Sequence, residues 1–358
     1  MKRNFPLVSY LTLALSIVFL AGCESTGYYS HIAYGHLSLL AKRQPVDQVL
    51  KDATLTLPEK EKLASTKAYL AFAAKELQLP TKGQYTHFVH LNREYPIWSL
   101  IATPPYSIEP LKWCYPIVGC MNYRGFYDIE KAKKKAKTLE GQDVYIAPAT
   151  AYSTLGWFSD PILSSFLRMS DSQLAGILFH ELAHQKLYVE NDTTFNESFA
   201  TAIEIEGVRR WSLAEYNPKI YEQYLEEKMV RQAFVLLVSE TREKLRKTYA
   251  DTTLSIKDKQ QQKEQHINAL KNSYQLLKKE KWAGKGYYDN WFKGPLNNAQ
   301  LSTIATYYDL VDPLLLLLKQ EKYDLHTFYE TCEKLGKKSV QERHDFLNHL
   351  SPSPQSLH

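Results

Sequence analysis

Cysteine is scarce: the 358 residues hold four, and no two form a C-x-x-C pair. That excludes a disulfide-built scaffold and a zinc-ribbon type of site. Charge of one sign is also lacking. Lys plus Arg exceed Asp plus Glu by 44 − 39 = +5, far from the dense basic patch of a nucleic-acid binder, so no nucleic-acid partner is expected. Beyond the first twenty residues no unbroken apolar run (Leu314 to Leu318 is one example) comes near the roughly 20 residues that span a bilayer. Internal repeats and low-complexity tracts are absent. What remains is ordinary for a globular chain, 44% apolar and 23% charged. At roughly 150 residues per domain, the length alone would suggest two domains.

The N-terminus stands apart. Lys2 and Arg3 precede an apolar stretch from Phe5 to Leu20, which runs into Ala21-Gly22-Cys23. A positive head, an apolar segment and a small-residue end describe a secretory signal, and the segment is too short for a span. Leu20-Ala21-Gly22-Cys23 resembles a bacterial lipobox. The resemblance implies removal of residues 1–22, acylation of Cys23 and lipid anchoring in the cell envelope. Glu24 in place of Asp implies sorting to the outer membrane, facing the periplasm. Processing leaves a charge of 5 − 2 = +3 and three thiols, Cys114, Cys120 and Cys332. Two of these are expected to pair in an oxidising compartment, with Cys114 and Cys120 the nearest in sequence.

Residues 24–212 read as an α+β region. A short helix is expected near 29–43, then a connection punctuated by Pro45 and Pro58. A helical stripe follows at Leu63, Leu70, Ala74 and Leu77, ended by Pro80. Strands are expected over 95–103, 117–123 and 143–147, with a Lys/Ala-rich helix at 129–139. Residues 213–350 read as a helical region completing the same unit. No glycine occurs between Val208 and Ala283, and Pro218 is the one proline there. Residues 219–283 therefore predict a long helical hairpin turning near 251–255, with a seam at Ile267, Leu270, Tyr274 and Leu277. The hairpin's charge surplus, 14 − 9 = +5, reads as a solvated face or as a contact for a partner protein or anionic headgroups. One further helix is read through Leu301, Ile304, Tyr308 and Val311, and Ser339 with Glu342 offers a capping box for the last.

The chemistry is concentrated in His180-Glu181-Leu182-Ala183-His184. Histidines at i and i+4 lie one turn apart on a helix, so both imidazoles can reach one ion while Glu181 stands beside it. There Glu181 can act as general base on the attacking water and pass the proton to the leaving amine. Ser170 and Gln173 form a capping box that starts this helix. Lys186 stands where such sites commonly carry an apolar residue. A catalytic zinc needs a third protein ligand and an open position. Leu187 and Glu190 do not fit a metzincin arrangement. Glu197, 197 − 184 = 13 residues after His184, is the preferred third ligand, with Glu190 and Asp192 as rivals. Thr194 and Glu197 also fit a capping box, which would turn Glu197 toward the backbone. Asn196, Thr201 and Glu204 are candidates for supporting the ligands or substrate, with plain solvation the alternative for Glu204 and Glu206.

Thr194-Phe195-Asn196-Glu197-Ser198-Phe199-Ala200 resembles the second signature of gluzincins. With Gly27-Tyr28-Tyr29, Pro116 to Cys120, Tyr123-Arg124-Gly125, Ala151 to Trp157, Asp160-Pro161 and Leu296-Asn297-Asn298-Ala299, the chain resembles the bacterial zinc aminopeptidases of the Aminopep, gluzincin-like type. The resemblance implies an α+β, zincin-like metallopeptidase: a small sheet, the HExxH helix packed on a second, Glu-bearing helix, and a mostly helical C-terminal half. It implies one Zn²⁺ per chain, a peptide substrate and hydrolysis by a zinc-activated water. Tyr308, Tyr307, Tyr152 and Arg124 are candidates for stabilising the oxyanion. The edge near 143–147 could pair with extended peptide. An aminopeptidase also needs a carboxylate for the substrate ammonium; Gly119-Cys120-Met121-Asn122-Tyr123 lacks one, leaving Glu204, Glu206 or Asp160. Two other readings stay open: an endopeptidase, and a non-catalytic zinc lipoprotein that binds a partner through the hairpin.

Overall fold

The computed structural model describes residues 27–53, 55–115, 119–149, 160–304 and 310–350. Cys23 with the signal segment, Tyr152, Tyr307 and Tyr308 lie outside the described residues. The fold is α+β and mostly helical, with small sheets. No described helix is long and apolar enough to cross a membrane.

Among the described residues helix α1 covers 27–41, followed by strand β1 (Gln44–Pro45), a single turn α2 (Val46–Val49) and α3 (Leu57–Glu76). Helix α3 opens on a reciprocal box between Thr56 and Glu59, with Pro58 in its first turn. An N–H is spare there, so Pro58 starts a helix rather than interrupting a connection. The buried stripe of α3 is Leu63, Thr66, Tyr69 and Ala73, continued by Leu77. Ala74, expected on it, is exposed. The face is turned because Tyr69 and Phe72 both pack edge-on against Trp211, with ring centroids 5.1 Å away.

Strand β2 (His87–Val89) pairs antiparallel with β1 and parallel with β8 (Ile162–Leu163). A second sheet places β3 (Ile97–Thr103) between β6 (Arg124–Phe126) and β7 (Asp143–Ala149), all antiparallel. Between them, β4 (Trp113–Tyr115) and β5 (Gly119–Met121) form a hairpin closed by the Cys114–Cys120 disulfide, as expected from their proximity. Within the described residues the strand expected over 117–123 is thus β5 alone. A bend at Asn122 and Tyr123 redirects the chain so that β6 can join β3. Helix α4 (Ile129–Ala136) packs on this sheet through Ala132, beside Leu100 and Phe126.

A 3₁₀ turn (Ser164–Arg168) leads to α5 (Asp171–Lys186), and a short loop to α6 (Thr193–Ala214). Gly207 of α6 permits a close approach, since a Cβ there would lie 2.6 Å from Phe179 and 2.9 Å from Leu77. The helical hairpin is α7 (Pro218–Ala250) and α8 (Ile256–Glu280), with Ile267, Leu270 and Tyr274 buried on Phe234 and Val238. Short α9 (Asp289–Phe292) and α10 (Asn298–Ser302) follow. The helix read through Leu301 to Val311 is not continuous among the described residues: α10 stops at Ser302 and α11 (Val311–Gln320) starts afresh. Arg242 Nη1 donates to the Ile304 carbonyl, past the end of α10. Helices α12 (Leu325–Gly336) and α13 (Val340–Leu350) close the chain, α13 on the expected Ser339–Glu342 box.

The hairpin is docked by buried polar groups. Lys263 Nζ reaches Asp143 Oδ2 at 2.5 Å and the Pro105 carbonyl at 3.0 Å. Asn298 donates to the same two residues, and Asn297 Nδ2 donates to the Val144 carbonyl at 3.0 Å. That last bond occupies the outer edge of β7 at Val144, so this end is not open to an added peptide strand. The hairpin's surplus has an internal use. Lys228, Arg246, Lys263 and Lys278 meet Glu204, Glu109, Asp143 and Asp289, all outside residues 219–283. Of the +5, four charges are answered within the fold, leaving 5 − 4 = +1.

The main core joins Leu178, Phe179 and Phe199 to Leu314, Phe328 and Leu347, crossing the boundary near 213. One buried ion pair reinforces that union. Arg343, 1% exposed, donates Nε to Asp192 Oδ2 at 2.9 Å and Nη1 to the carbonyls closing α12. Burial tends to raise the Asp192 carboxyl, but the Phe195 N–H, Arg343 and His344 together hold it below the usual range. Arg343→Met should cost about 3–5 kcal/mol in denaturant unfolding, because Asp192 stays buried without its cation. The stability from Asp192 is full above its unfolded value of about 3.9 and is lost as pH falls through the lower folded value. The gap between wild type and variant should therefore narrow below about pH 4.

Candidate metal centre

Helix α5 begins as its sequence directs: the Ser170 hydroxyl accepts from the Gln173 N–H at 3.2 Å, and Gln173 Oε1 accepts from the Ser170 N–H at 3.1 Å. His180 and His184 follow one turn apart, their ring centroids separated by 4.8 Å. Lys186, the unexpected charge after the motif, places Nζ 4.8 Å over the Tyr329 ring. A cation there also suits the C-terminal end of the helix dipole.

The start of α6 decides the third donor. Asp192, not Thr194, is the N-cap: its Oδ1 accepts from the Phe195 N–H at 3.0 Å. Glu197 is therefore free of capping. Asp192 is committed to the cap, Arg343 and His344, and Glu190 is exposed beyond the turn. Asn191 takes the positive φ of 61° that the turn requires. Asn196 holds the loop like a clip, accepting from the Val189 N–H at 2.8 Å and donating to its carbonyl at 2.7 Å. Asn196 is thus occupied in shaping the turn.

These constraints bring together His180, His184 and Glu197, the one group among the described residues whose His, Cys and carboxylate donors could hold a metal ion. His180 Nε2 lies 3.3 Å from Glu197 Oε2, and His184 Nε2 lies 3.5 Å from Glu197 Oε1. A tetrahedral ion with bonds of about 2.0 Å has donor–donor edges of about 3.3 Å, and the three donors lie within 4.8 Å of one another, close enough to converge on one such ion. His184 is 4% exposed and Glu197 30%, leaving access on the Glu197 side.

Glu204 stands behind His180 and is not solvated. Its Oε2 lies 3.1 Å from His180 Nδ1, while Oε1 accepts from the Tyr224 hydroxyl at 2.7 Å and from Lys228 Nζ at 2.9 Å. Burial pushes the Glu204 carboxyl up, but Lys228 and His180 outweigh it and hold it well below the usual range. It stays ionised and favours a proton on His180 Nδ1, which leaves Nε2 to face an ion once the ion displaces the proton shared with Glu197. Burial alone would lower His180; hydrogen bonds to Glu197 and Glu204 push it up to about 9. Burial and the His180 charge push His184 down. Unlike His180, His184 has no hydrogen-bond partner at Nδ1 among the described residues. Burial and the Glu204 carboxylate push Tyr224 far up, so its hydroxyl remains a donor.

The other expected residues have contacts of their own. Thr201 is buried one turn beyond Glu197. Glu206 is engaged by Arg209 and Arg210, which removes it as a substrate carboxylate. Arg124 stacks 3.9 Å over Tyr28 and 5.4 Å from Trp113, an aromatic packing role rather than an oxyanion contact. Asp160 is buried, with its N–H donated to Gln84 and its carbonyl accepting from Tyr85. Three residues were not anticipated from sequence. Tyr224 and Lys228 share one face of α7 at i and i+4, yet no local motif ties them to Glu204. Tyr85 is buried with φ 54°, and burial plus the Glu181 and Asp160 carboxylates push its phenol well up.

Glu204→Gln should weaken divalent-ion affinity about 10–100-fold in a chelator competition. Glu190→Ala should leave it unchanged, and Glu197→Ala should abolish stoichiometric binding.

The searches of curated proteins and of solved structures return no match. The Aminopep family model, described as "Putative aminopeptidase", matches residues 27–347. That span contains every residue of the metal centre, its supporting helices and α13 as far as Leu347, and the chain belongs to the Aminopep family.

Proposed function

We propose that this protein is a zinc metallopeptidase, and within that class an aminopeptidase, held in the bacterial envelope by lipid on Cys23. The observation that carries the reading is the convergence of His180, His184 and Glu197 beside Glu181, with Glu204 behind. The family name supplies the activity, and the donor set supplies a place for the ion. Two imidazoles and a carboxylate suit Zn²⁺. When bound, zinc would supply Lewis acidity toward the scissile carbonyl and the attacking water.

The chain's own residues do the rest. Glu181 accepts the proton from the attacking water on its carboxylate and delivers it to the leaving amine. Glu204 keeps the proton on His180 Nδ1, fixing which nitrogen faces the ion. Asp192 and Asn196 fix the turn and so hold Glu197 opposite the histidines. The lipobox-like Leu20-Ala21-Gly22-Cys23 supports the anchor, and Glu24 supports the outer membrane facing the periplasm.

Glu181→Gln should keep about one zinc per chain and lose about 10²–10⁴-fold in peptide turnover. Retained turnover in that variant contradicts the mechanism. Free peptides should be cleaved and N-acetylated ones spared; cleavage of both would make the enzyme an endopeptidase.

A further inference from the structure

A second feature lies away from the metal centre. Helix α1, the Val89–Arg93 segment after β2 and the Tyr127–Lys131 segment entering α4 enclose a cavity of about 190 Å³. None of its lining residues belongs to the metal cluster. The Tyr127 ring lies directly against the α1 backbone at Gly35, where any Cβ would fall 2.2 Å from the ring. Lys42, Arg93 and Lys131 line the cavity with a single carboxylate, Asp128, whose Oδ1 already accepts from the Glu130 N–H at 2.8 Å.

His31 at this cavity is 9% exposed. Its Nε2 accepts from the Tyr127 N–H at 3.2 Å. Burial, then the Lys131 charge, push the imidazole below its ordinary range, so it is neutral and carries its proton on Nδ1. Yet Nδ1 faces Lys131 Nζ at 3.1 Å. An ammonium has no lone pair to offer, so two donors confront each other without an acceptor. An anion that accepts from both resolves the conflict, and Lys42 and Arg93 add positive charge.

We propose that this cavity is a phosphate site and that it takes the headgroup phosphate of an anionic phospholipid. The lipid source follows from the surroundings. Tyr29, Tyr34 and Leu37 on α1 are 41%, 75% and 63% exposed, and Lys134 and Lys137 are exposed on and just after α4, the helix that Lys131 belongs to. Exposed rings and a leucine accompanied by lysines suit a lipid interface. The described part of helix α1 begins 27 − 23 = 4 residues after Cys23, a reach of at most about 14 Å even when fully extended. The lipid source rests on the anchor proposed at Cys23; the anion site does not.

The test uses the full chain carrying Cys23→Ser and compares vesicles of phosphatidylcholine with vesicles containing phosphatidylglycerol. The N-terminal segment, with Lys2 and Arg3, is common to all samples, so its share of the gain cancels when each variant is compared with the parent. Phosphatidylglycerol should raise partitioning at least about tenfold. Lys42→Ala/Lys131→Ala should remove that gain, while Lys134→Ala/Lys137→Ala, an equal loss of charge, should remove much less. Equal losses in the two double variants, or no gain in the parent, overturn the headgroup site. Inorganic phosphate is titrated calorimetrically in parallel. Its binding without any phosphatidylglycerol gain assigns the cavity to a free phosphate and overturns the lipid source. Zinc content is measured on the same samples, so failure of the metal reading is seen separately.

Discussion

A helix turns its side chains by about 100° per residue, so the residue at which α6 starts decides where Glu197 points. Asp192 settles that start. Its carboxylate takes the Phe195 N–H and is itself held by Arg343 and His344 from the last helix. Shifting the cap to Thr194, the alternative allowed by sequence, would make Glu197 answer the backbone instead of the histidines. The C-terminal helix thus acts on the candidate metal centre through one buried carboxylate.

The second dependency runs through Glu204. Burying a carboxylate beside a histidine is costly unless its charge is answered, and Lys228 and Tyr224 answer it from α7. The basic hairpin is therefore tied to the site through Lys228 and Tyr224. The same logic recurs at Lys263 and Asp143, where a buried pair seats the hairpin on the sheet. Much of the hairpin's positive charge is spent on holding the two layers together.

Local signals were legible. The Ser170–Gln173 box, the i, i+4 histidines, the long hairpin and the Ser339–Glu342 box all depend on residues within a turn or two of each other. Glu197 could be ranked first from its spacing, but its freedom from capping depended on Arg343, some 150 residues away in sequence. Glu204 is legible only as a candidate for supporting the ligands, since its partners Tyr224 and Lys228 meet it through packing alone. The α3 stripe shifted from Ala74 to Ala73 because aromatic contacts with Trp211 outweighed the local pattern. His31 and Lys131 carry no motif at all, and their conflict exists only where α1 and α4 meet.

The central claim is that two histidines and one carboxylate hold zinc beside Glu181. X-ray absorption at the zinc edge of the purified full chain tests it most directly. The account predicts about two imidazole nitrogens plus oxygen at about 2.0–2.1 Å and no sulfur. A zinc–sulfur shell at about 2.3 Å, which would draw Cys332 or another thiol into the site, would contradict it.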